Sequence, residues 1–585
     1  MKIPNKVLAI PVSIILIAAY FIALSGCEKK PEKPQIGWVE STYTNMAEDQ
    51  RIGQLFCMTV DPIKYFLYPN YTASINFLIG KYKPGAIFLL ANLDSVKMEI
   101  RNEFNANKLH DEIIKLQNLP EISFFIAANF ESGAWYWDNK ATHFPFPLAL
   151  GATRSGEFAY RQGKITAVEA KAQGINWVLS PMVNISIDLE ENALTMLSLG
   201  SDTGVVNELC PQFIKGCQEV GVAGSMKYFP SHKPFSLLTM SPDDITPDQL
   251  SVFKAGIETG VLTIMGSTLG VIGGDIHQQT SVTQQLISGV LKKQLGFNGI
   301  FISNLAITNR KETINDEMSV ILNTVDAGVD MFILPEITDN KIPLIDLILE
   351  EAISGRIDMT AIDAASLKIL SVKYKQDLHL AKSETSLRSM VGIGLPEYYQ
   401  TSNDISNGSI TLLKNERNII PVDLQEKYIV SIAFIDDISP NIATIYSNKL
   451  DQISDTIKSI NIFGIPDQRI EYEAIRRATE ADVVICSFFL KPDADIKTFT
   501  IPPEIKSLIN RIDAVNNHII IISFYDPYLI NYLPEIEGYI VPYSPSQHSI
   551  GAAVDVIFGN IDAQGKLPIQ ISDRFPIGFG ISTGK

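Results

Sequence analysis

The sequence predicts an α/β chain in two parts, an eight-stranded parallel barrel of TIM (β/α)8 type followed by a smaller α/β/α sandwich. Three observations carry this. About eight short runs between residues 54 and 335 are apolar throughout rather than alternating, as in parallel strands buried on both faces. Longer amphipathic stretches separate them, which gives strand–helix units in series. At 585 residues the chain exceeds what one core supports, and a second series of such runs begins near residue 428. A doubly wound sheet is the alternative for the first part, but no Gly-rich phosphate loop follows its first strand.

Taken in order, the chain opens on Lys2 and Lys6, then an apolar run from Val7 to Leu24 broken by Pro11 and Ser13, then Ser25-Gly26-Cys27. A basic start, an apolar stretch and small residues before a cut compose a secretory signal. The Cys directly after Ser-Gly resembles a bacterial lipobox, which implies an acylated Cys27 at the mature terminus. The run is also long enough to stay as an uncleaved transmembrane anchor. Residues 28–36 (EKKPEKPQI) are charged and Pro-rich and read as a solvated spacer.

The barrel strands are expected at QLFCMTV (54–60), GAIFLL (85–90), SFFIAANF (123–130) and WVLSPMVN (177–184). AGSMKYF (223–229), TIMGSTL (263–269), GIFISNL (299–305) and MFILP (331–335) complete the set. Among the helices, one begins at Thr246 before Pro247 and Asp248, a favourable N-terminus. A helix over about 360–376 closes the region, and residues 377–405, mixed and polar, read as a linker. The second part offers YIVSIAFI (428–435), ADVVICSFF (481–489), HIIIISFY (518–525) and GYIVPY (538–543). No hairpin turn follows these runs, which favours parallel connections. The expected boundaries are thus 1–26 for the leader, 27–40 for a lipid-anchored linker, 41–376 for the barrel, 377–405 for a linker and 406–585 for the sandwich.

Asp and Glu number 65 against 48 Lys and Arg, a formal charge of −17. Removing the leader deletes Lys2 and Lys6 and no acid, so the body is more acidic still. Such a body is not expected to seek nucleic acid or anionic lipid. Past the leader, no run is long and apolar enough to span a bilayer. Cys210 and Cys217 lie seven apart in a helical stretch, about 10 Å at the helical rise and too far for a disulfide. With Cys57 and Cys486 they read as small buried apolar residues. No Cys-x-x-Cys or His cluster suggests a metal, and no cofactor is expected.

Barrel chemistry sits at the C-terminal strand ends. Those ends offer Asn129 and Glu131, Asn184 and Asp188, then Lys227, Tyr228 and His232, then Ser267, Asn304 and Glu336. Lysine, histidine and several amides suit a polar ligand such as a sugar, although each residue alone is more often a solvated loop residue. GSTLG at 266–270 places its Ser wrongly for a hydrolase elbow.

Several segments together resemble glycoside hydrolase family 3 in its two-domain β-N-acetylhexosaminidase/β-glucosidase form. They are RIGQLF (51–56), KPGAIFLL (83–90), FESGA (130–134), HFPFPLALGAT (143–153), GINWVLSPMVNIS (174–186), KYFPSH (227–232), LGFNGIFISNL (295–305) and AGVDMFILP (327–335). GSITLLKNERNIIP (408–421) and FGNIDAQGKLPIQI (558–571) extend the resemblance through the second part. It implies a retaining glycosidase with a carboxylate nucleophile and a general acid. Here the sequence departs from the family. Asn304 stands at the nucleophile position, and an amide cannot form the glycosyl ester. Leu238 and Met240 stand at the positions of the Asp–His acid/base dyad, and neither moves a proton. Asn129 replaces a sugar-binding Asp, Leu197 an Arg and Tyr228 a His, while Glu131, Lys227 and His232 persist. The resemblance therefore implies a degenerate active site on an intact frame. The expected function is a non-catalytic envelope lipoprotein binding a glycan of N-acetylhexosamine or glucoside type, or an envelope protein. The alternatives are an active O-glycosyl hydrolase with relocated carboxylates and a structural subunit of an envelope complex. Substrate-assisted hydrolysis would still need a carboxylic acid, for which Glu131 is the candidate.

Overall fold

The computed structural model describes residues 36–90, 106–185, 195–233, 236–270, 281–306, 314–336, 342–355, 358–380, 392–425, 427–436, 440–491 and 501–583. The leader, Cys27 and Asp188 lie outside the described residues.

Eight strands close a parallel barrel: β1 (Phe56–Val60), β2 (Ala86–Leu89), β3 (Phe125–Ala128), β4 (Trp177–Val178), β5 (Ala223–Phe229), β6 (Thr263–Gly270), β7 (Ile300–Ala306) and β8 (Met331–Leu334). They pair in sequence order, and β1 closes on β8 with Cys57 opposite Ile333. β1, β2, β3 and β8 are buried at every residue, which is why their sequences do not alternate. Gly85 enters β2 hard against the preceding turn, where a Cβ would lie 2.1 Å from the Gln54 carbonyl oxygen. Inside the barrel the Trp177 indole N–H donates to Thr263 Oγ1 at 2.9 Å, and that hydroxyl donates to the Gly224 carbonyl at 2.8 Å. The two polar side chains, Trp177 and Thr263, are thus paired inside the barrel. Ahead of β8, buried Asp330 accepts from Lys368 at 2.7 Å and from the Phe301 N–H at 2.8 Å. This pairing lies at the N-terminal ends of the strands, where it serves stability rather than chemistry.

The helix Pro247–Glu258 starts as its sequence requires, with Thr246 and Gln249 capping each other's backbone. The four cysteines at 57, 210, 217 and 486 are free and buried. Among the described residues no helix is long and apolar enough to cross a membrane.

The second sheet has six strands: β9 (Thr411–Asn415), β10 (Ile429–Ile435), β11 (Lys458–Phe463), β12 (Val483–Phe489), β13 (Ile519–Ser523) and β14 (Gly538–Val541). Their spatial order is β11-β10-β12-β13-β14-β9. Alternate residues of β10 enter two different cores, Val430, Ile432 and Phe434 on one face and Ile429, Ala433 and Ile435 on the other. Helices cover both faces, so the expected α/β/α sandwich is present. Three details differ from the sequence reading. β9 and β11 were not anticipated, β9 runs antiparallel to β14, and the helix Pro396–Ser409 occupies the end of the stretch read as linker.

Barrel and sandwich share a core. Leu148, Ala149, Ala152 and Met196 of the barrel pack within the sandwich cluster, alongside Leu567 and Ile569. Main-chain bonds cross the same seam, Lys566 N–H to the Ala152 carbonyl at 3.0 Å and Ser201 N–H to the Pro568 carbonyl at 2.8 Å.

Candidate active site

β3 stops at Ala128 and hands the chain to Asn129 and Glu131. β5, two strands over, carries Lys227 and Tyr228 at its end. The Lys227 ammonium donates to Asn129 Oδ1 at 3.2 Å and to the Glu131 carboxylate. Burial by itself would lower the Lys227 pKa, but the Glu131 carboxylate and the Tyr228 ring beside it outweigh burial. The net shift is upward, so Lys227 stays protonated. The Tyr228 ring centroid is 5.7 Å from Nζ. Asn184 fixes that strand end with both ends of its amide, Nδ2 donating to the Tyr228 carbonyl and Oδ1 accepting the Tyr228 N–H, each at 2.9 Å. The Ser198 hydroxyl in turn holds the Asn184 carbonyl at 3.0 Å. Four of the expected residues, Asn129, Glu131, Lys227 and Tyr228, are thereby brought together.

Asn304 lies on β7 opposite Ile333 of β8 and is half-buried. Its neighbour Ser303 anchors the strand by donating to the Ser267 carbonyl. No hydrogen bond joins Asn304 to the Lys227 cluster among the described residues.

Leu238 falls in a short helix, Ser236–Thr239, packed onto the end of β6. Leu237 is fully buried and Leu238 nearly so, both within the barrel's own core cluster, with Met240 half-buried against it. The Leu237 N–H donates to Ser267 Oγ at 3.1 Å, and the Thr283 hydroxyl donates to the Leu237 carbonyl at 2.9 Å. Gly266 of β6 makes room for this helix, since a Cβ there would lie 2.7 Å from Leu237 Cδ1. The positions read as a lost acid/base dyad are filled with packed hydrocarbon. His232 is half-buried on the segment leading to this helix, and Leu197 is half-buried beside Ser198.

A second cluster occupies the β1–β8 side of the mouth, and of its members the sequence reading named only Glu336. Lys64 Nζ lies 2.8 and 3.1 Å from the two Glu336 oxygens and 3.9 Å from Asp61 Oδ2. Asp61 also caps the helix Pro62–Leu67, accepting the N–H groups of Ile63 and Lys64, and its own N–H donates to the Tyr71 hydroxyl at 3.0 Å. Burial raises the Asp61 pKa, with those two N–H groups and Lys64 opposing. The one cation thus pairs with both carboxylates, Asp61 and Glu336. Lys64 itself lies between them. The signal in the sequence was Asp61-Pro62 directly after a strand. Glu336 lies 272 residues beyond Lys64, so only barrel closure reveals the pairing. Among the described residues no group of His, Cys, Asp and Glu could hold a metal ion.

Comparison with known proteins places the fold. Residues 48–372 match the model of the glycosyl hydrolase family 3 N-terminal domain, and residues 410–576 match that of its C-terminal domain. A β-N-acetylglucosaminidase/β-glucosidase of Cellulomonas fimi is 26% identical over 412 residues, covering 67% of this chain and 69% of that protein. A periplasmic β-glucosidase of Salmonella typhimurium is 23% identical, covering 96% of this chain and 77% of that one. A family 3 β-N-acetylglucosaminidase from a Paenibacillus species superposes with a TM-score of 0.73 at 20% identity, covering 90% of this chain and 99% of that one. A β-glucoside phosphorylase superposes at 0.74 with 19% identity over 92% and 97% of the two chains.

Proposed function

The chain belongs to glycosyl hydrolase family 3, and from that premise we propose that it no longer hydrolyses glycosides and serves as a glycan- or partner-binding body held at a membrane. The observation that carries this is the packed helix Ser236–Thr239. The segment where the resemblance calls for an acid/base dyad contributes Leu237 and Leu238 to the barrel core, while an amide, Asn304, stands at the nucleophile position. An amide neither forms the glycosyl ester nor offsets oxocarbenium charge, and a leucine supplies no proton. What remains at the mouth is polar and positioned, namely Glu131, Lys227 and Asn129 in one hydrogen-bonded group beside Tyr228. Such a group offers donors and acceptors to sugar hydroxyls without the means to break the bond. The relatives named for N-acetylglucosaminide and β-glucoside chemistry point to a glycan of those types.

A second reading is hydrolysis by relocated carboxylates, for which Asp61 and Glu336 share one side of the mouth and burial raises the Asp61 pKa. Against it, Lys64 already pairs with both carboxylates. One assay separates the two. The purified protein is offered aryl N-acetylglucosaminide and aryl glucoside, with Glu131→Ala and Glu336→Gln beside it. No turnover above buffer is expected. Turnover abolished by either substitution would sink the non-catalytic reading, and loss with Glu336→Gln would assign the chemistry to the β1–β8 cluster.

A further inference from the structure

Away from the barrel mouth, a cleft of about 360 Å³ opens on the helical face of the sandwich, a size within the range of small-molecule sites. Three helices form it: Pro396–Ser409, Pro440–Ile453 and Gln547–Ile557. Their sequences aim at it with helical spacing. Gln547, Gly551 and Asp555 follow one another four apart on one face, and Ile445, Asn448, Lys449 and Gln452 share a face of the facing helix. Asn403 adds an amide from the third.

The lining has a definite chemistry. The side-chain amides of Asn403, Asn448, Gln452 and Gln547 make no hydrogen bond to the protein among the described residues, and those of Asn448, Gln452 and Gln547 are exposed, so a ligand meets them in place of water. The two full charges cancel, because Lys449 Nζ is 2.8 Å from Asp555 Oδ2. His548 adds a ring whose pKa burial lowers, so it is neutral near pH 7 and can both donate and accept. Ile445 supplies one apolar surface. The floor is Gly551, inside a helix where Gly weakens the structure relative to Ala. Packing does not require it, since the nearest atom to a Cβ there is Lys449 Cε at 4.0 Å. Its effect is to leave the cleft open.

We infer that this cleft is a second ligand site, one that takes a neutral, hydroxyl-rich ligand, a mono- or disaccharide. Side-chain amides match vicinal hydroxyls, which also donate and accept. A lining with no net charge gives no advantage to an ionic ligand. The site is separate from the barrel and holds whether or not the barrel hydrolyses anything.

The test is calorimetric titration of the full-length chain, kept in a detergent without a sugar headgroup, with N-acetylglucosamine and with glucose in separate runs. Gly551→Leu fills the floor, Asn403→Leu removes an amide from another helix, and Asn129→Trp blocks the barrel mouth at an exposed position. Gly551→Leu should keep or raise the melting temperature, because a helix former replaces Gly. It should weaken sugar binding by about tenfold or more, Asn403→Leu should weaken it too, and Asn129→Trp should leave the cleft's binding in place. Binding lost in Asn129→Trp and unchanged in both cleft variants would overturn the inference, as would no binding of either sugar up to tens of millimolar.

Discussion

Asn304 differs from an aspartate by one amide nitrogen, yet the exchange removes both the negative charge and the nucleophilic oxygen that a retaining glycosidase needs. Restoring the carboxylate should still not restore turnover. Catalytic groups act as a unit, and the Leu238 and Met240 positions supply no acid to protonate the leaving oxygen. Asn304→Asp is therefore expected to leave aryl-glycoside hydrolysis at the buffer rate, and appreciable turnover in that variant would reveal an acid elsewhere in the mouth. Asp526 carries a different prediction. It follows β13, is 3% exposed, and its Oδ1 accepts the Tyr528 N–H at 2.8 Å while Oδ2 has no hydrogen-bond partner. Burial pushes its pKa up to about 7, against that N–H. The folded state thus keeps a proton that the unfolded chain has already lost, and stability falls as pH rises from the ordinary carboxylate range through about 7. Glu169, raised to about 7 by burial, acts in the same direction. Melting temperatures taken between about pH 5 and about pH 8 should decline less steeply in Asp526→Asn than in the parent. Equal slopes would show that the carboxylate is not what the proton protects.

At the scale of elements, the helix Ser236–Thr239 decides how the mouth behaves. Leu237 is fully buried, and Gly266, Ser267 and Thr283 all accommodate it. Leu237→Ala should destabilise the fold by about 2–5 kcal/mol, the range for a buried leucine whose site cannot collapse, read from urea midpoints. A loss well below 1 kcal/mol would mean that the segment is loosely seated after all. This helix was legible only as a departure from a pattern, because KPFSLLTM shows the missing acid and histidine but not the docking. The eight barrel strands were legible because burial on both faces leaves an unbroken apolar run. β11 was not, since five of its six residues are exposed or half-exposed on the ladder's edge and only Ile462 is buried. β9 is five residues long and contains Lys414, which pairs with Glu535 at 2.7 Å. The helix Pro396–Ser409 was hidden for another reason. Its buried face is Ile405 with Thr401, Ser402, Ser406 and Ser409, four small hydroxyl residues that let it pack closely but give no hydrophobic periodicity. At the site, the Lys227 group was legible from strand ends in order, whereas the Lys64 bridge needed the closure of β1 on β8.

At the scale of the whole molecule, a core shared between barrel and sandwich joins the two into one acidic body, and its charge determines how it can meet a membrane. With a formal charge of −17 the chain is repelled by anionic lipid, and no helix among the described residues can span a bilayer. The membrane residence proposed above would then depend on residues 1–27, through either a lipid on Cys27 or the apolar run from Val7 to Leu24 kept as a span. The two differ physically. An acyl-anchored body depends on one thiol, and an uncleaved helix does not depend on it at all. If hydrolysis is gone, position carries much of the function, so the distinction matters more here than for an enzyme that works equally well in solution. Cys27→Ser should move the protein from the membrane to the soluble fraction, or leave the leader uncut and the chain visibly larger on a gel, and it should abolish incorporation of labelled fatty acid. The barrel and sandwich should melt as before. A Cys27→Ser chain of unchanged size that stays in the membrane fraction, together with a parent that takes up no fatty acid, would replace the lipid with a helical anchor.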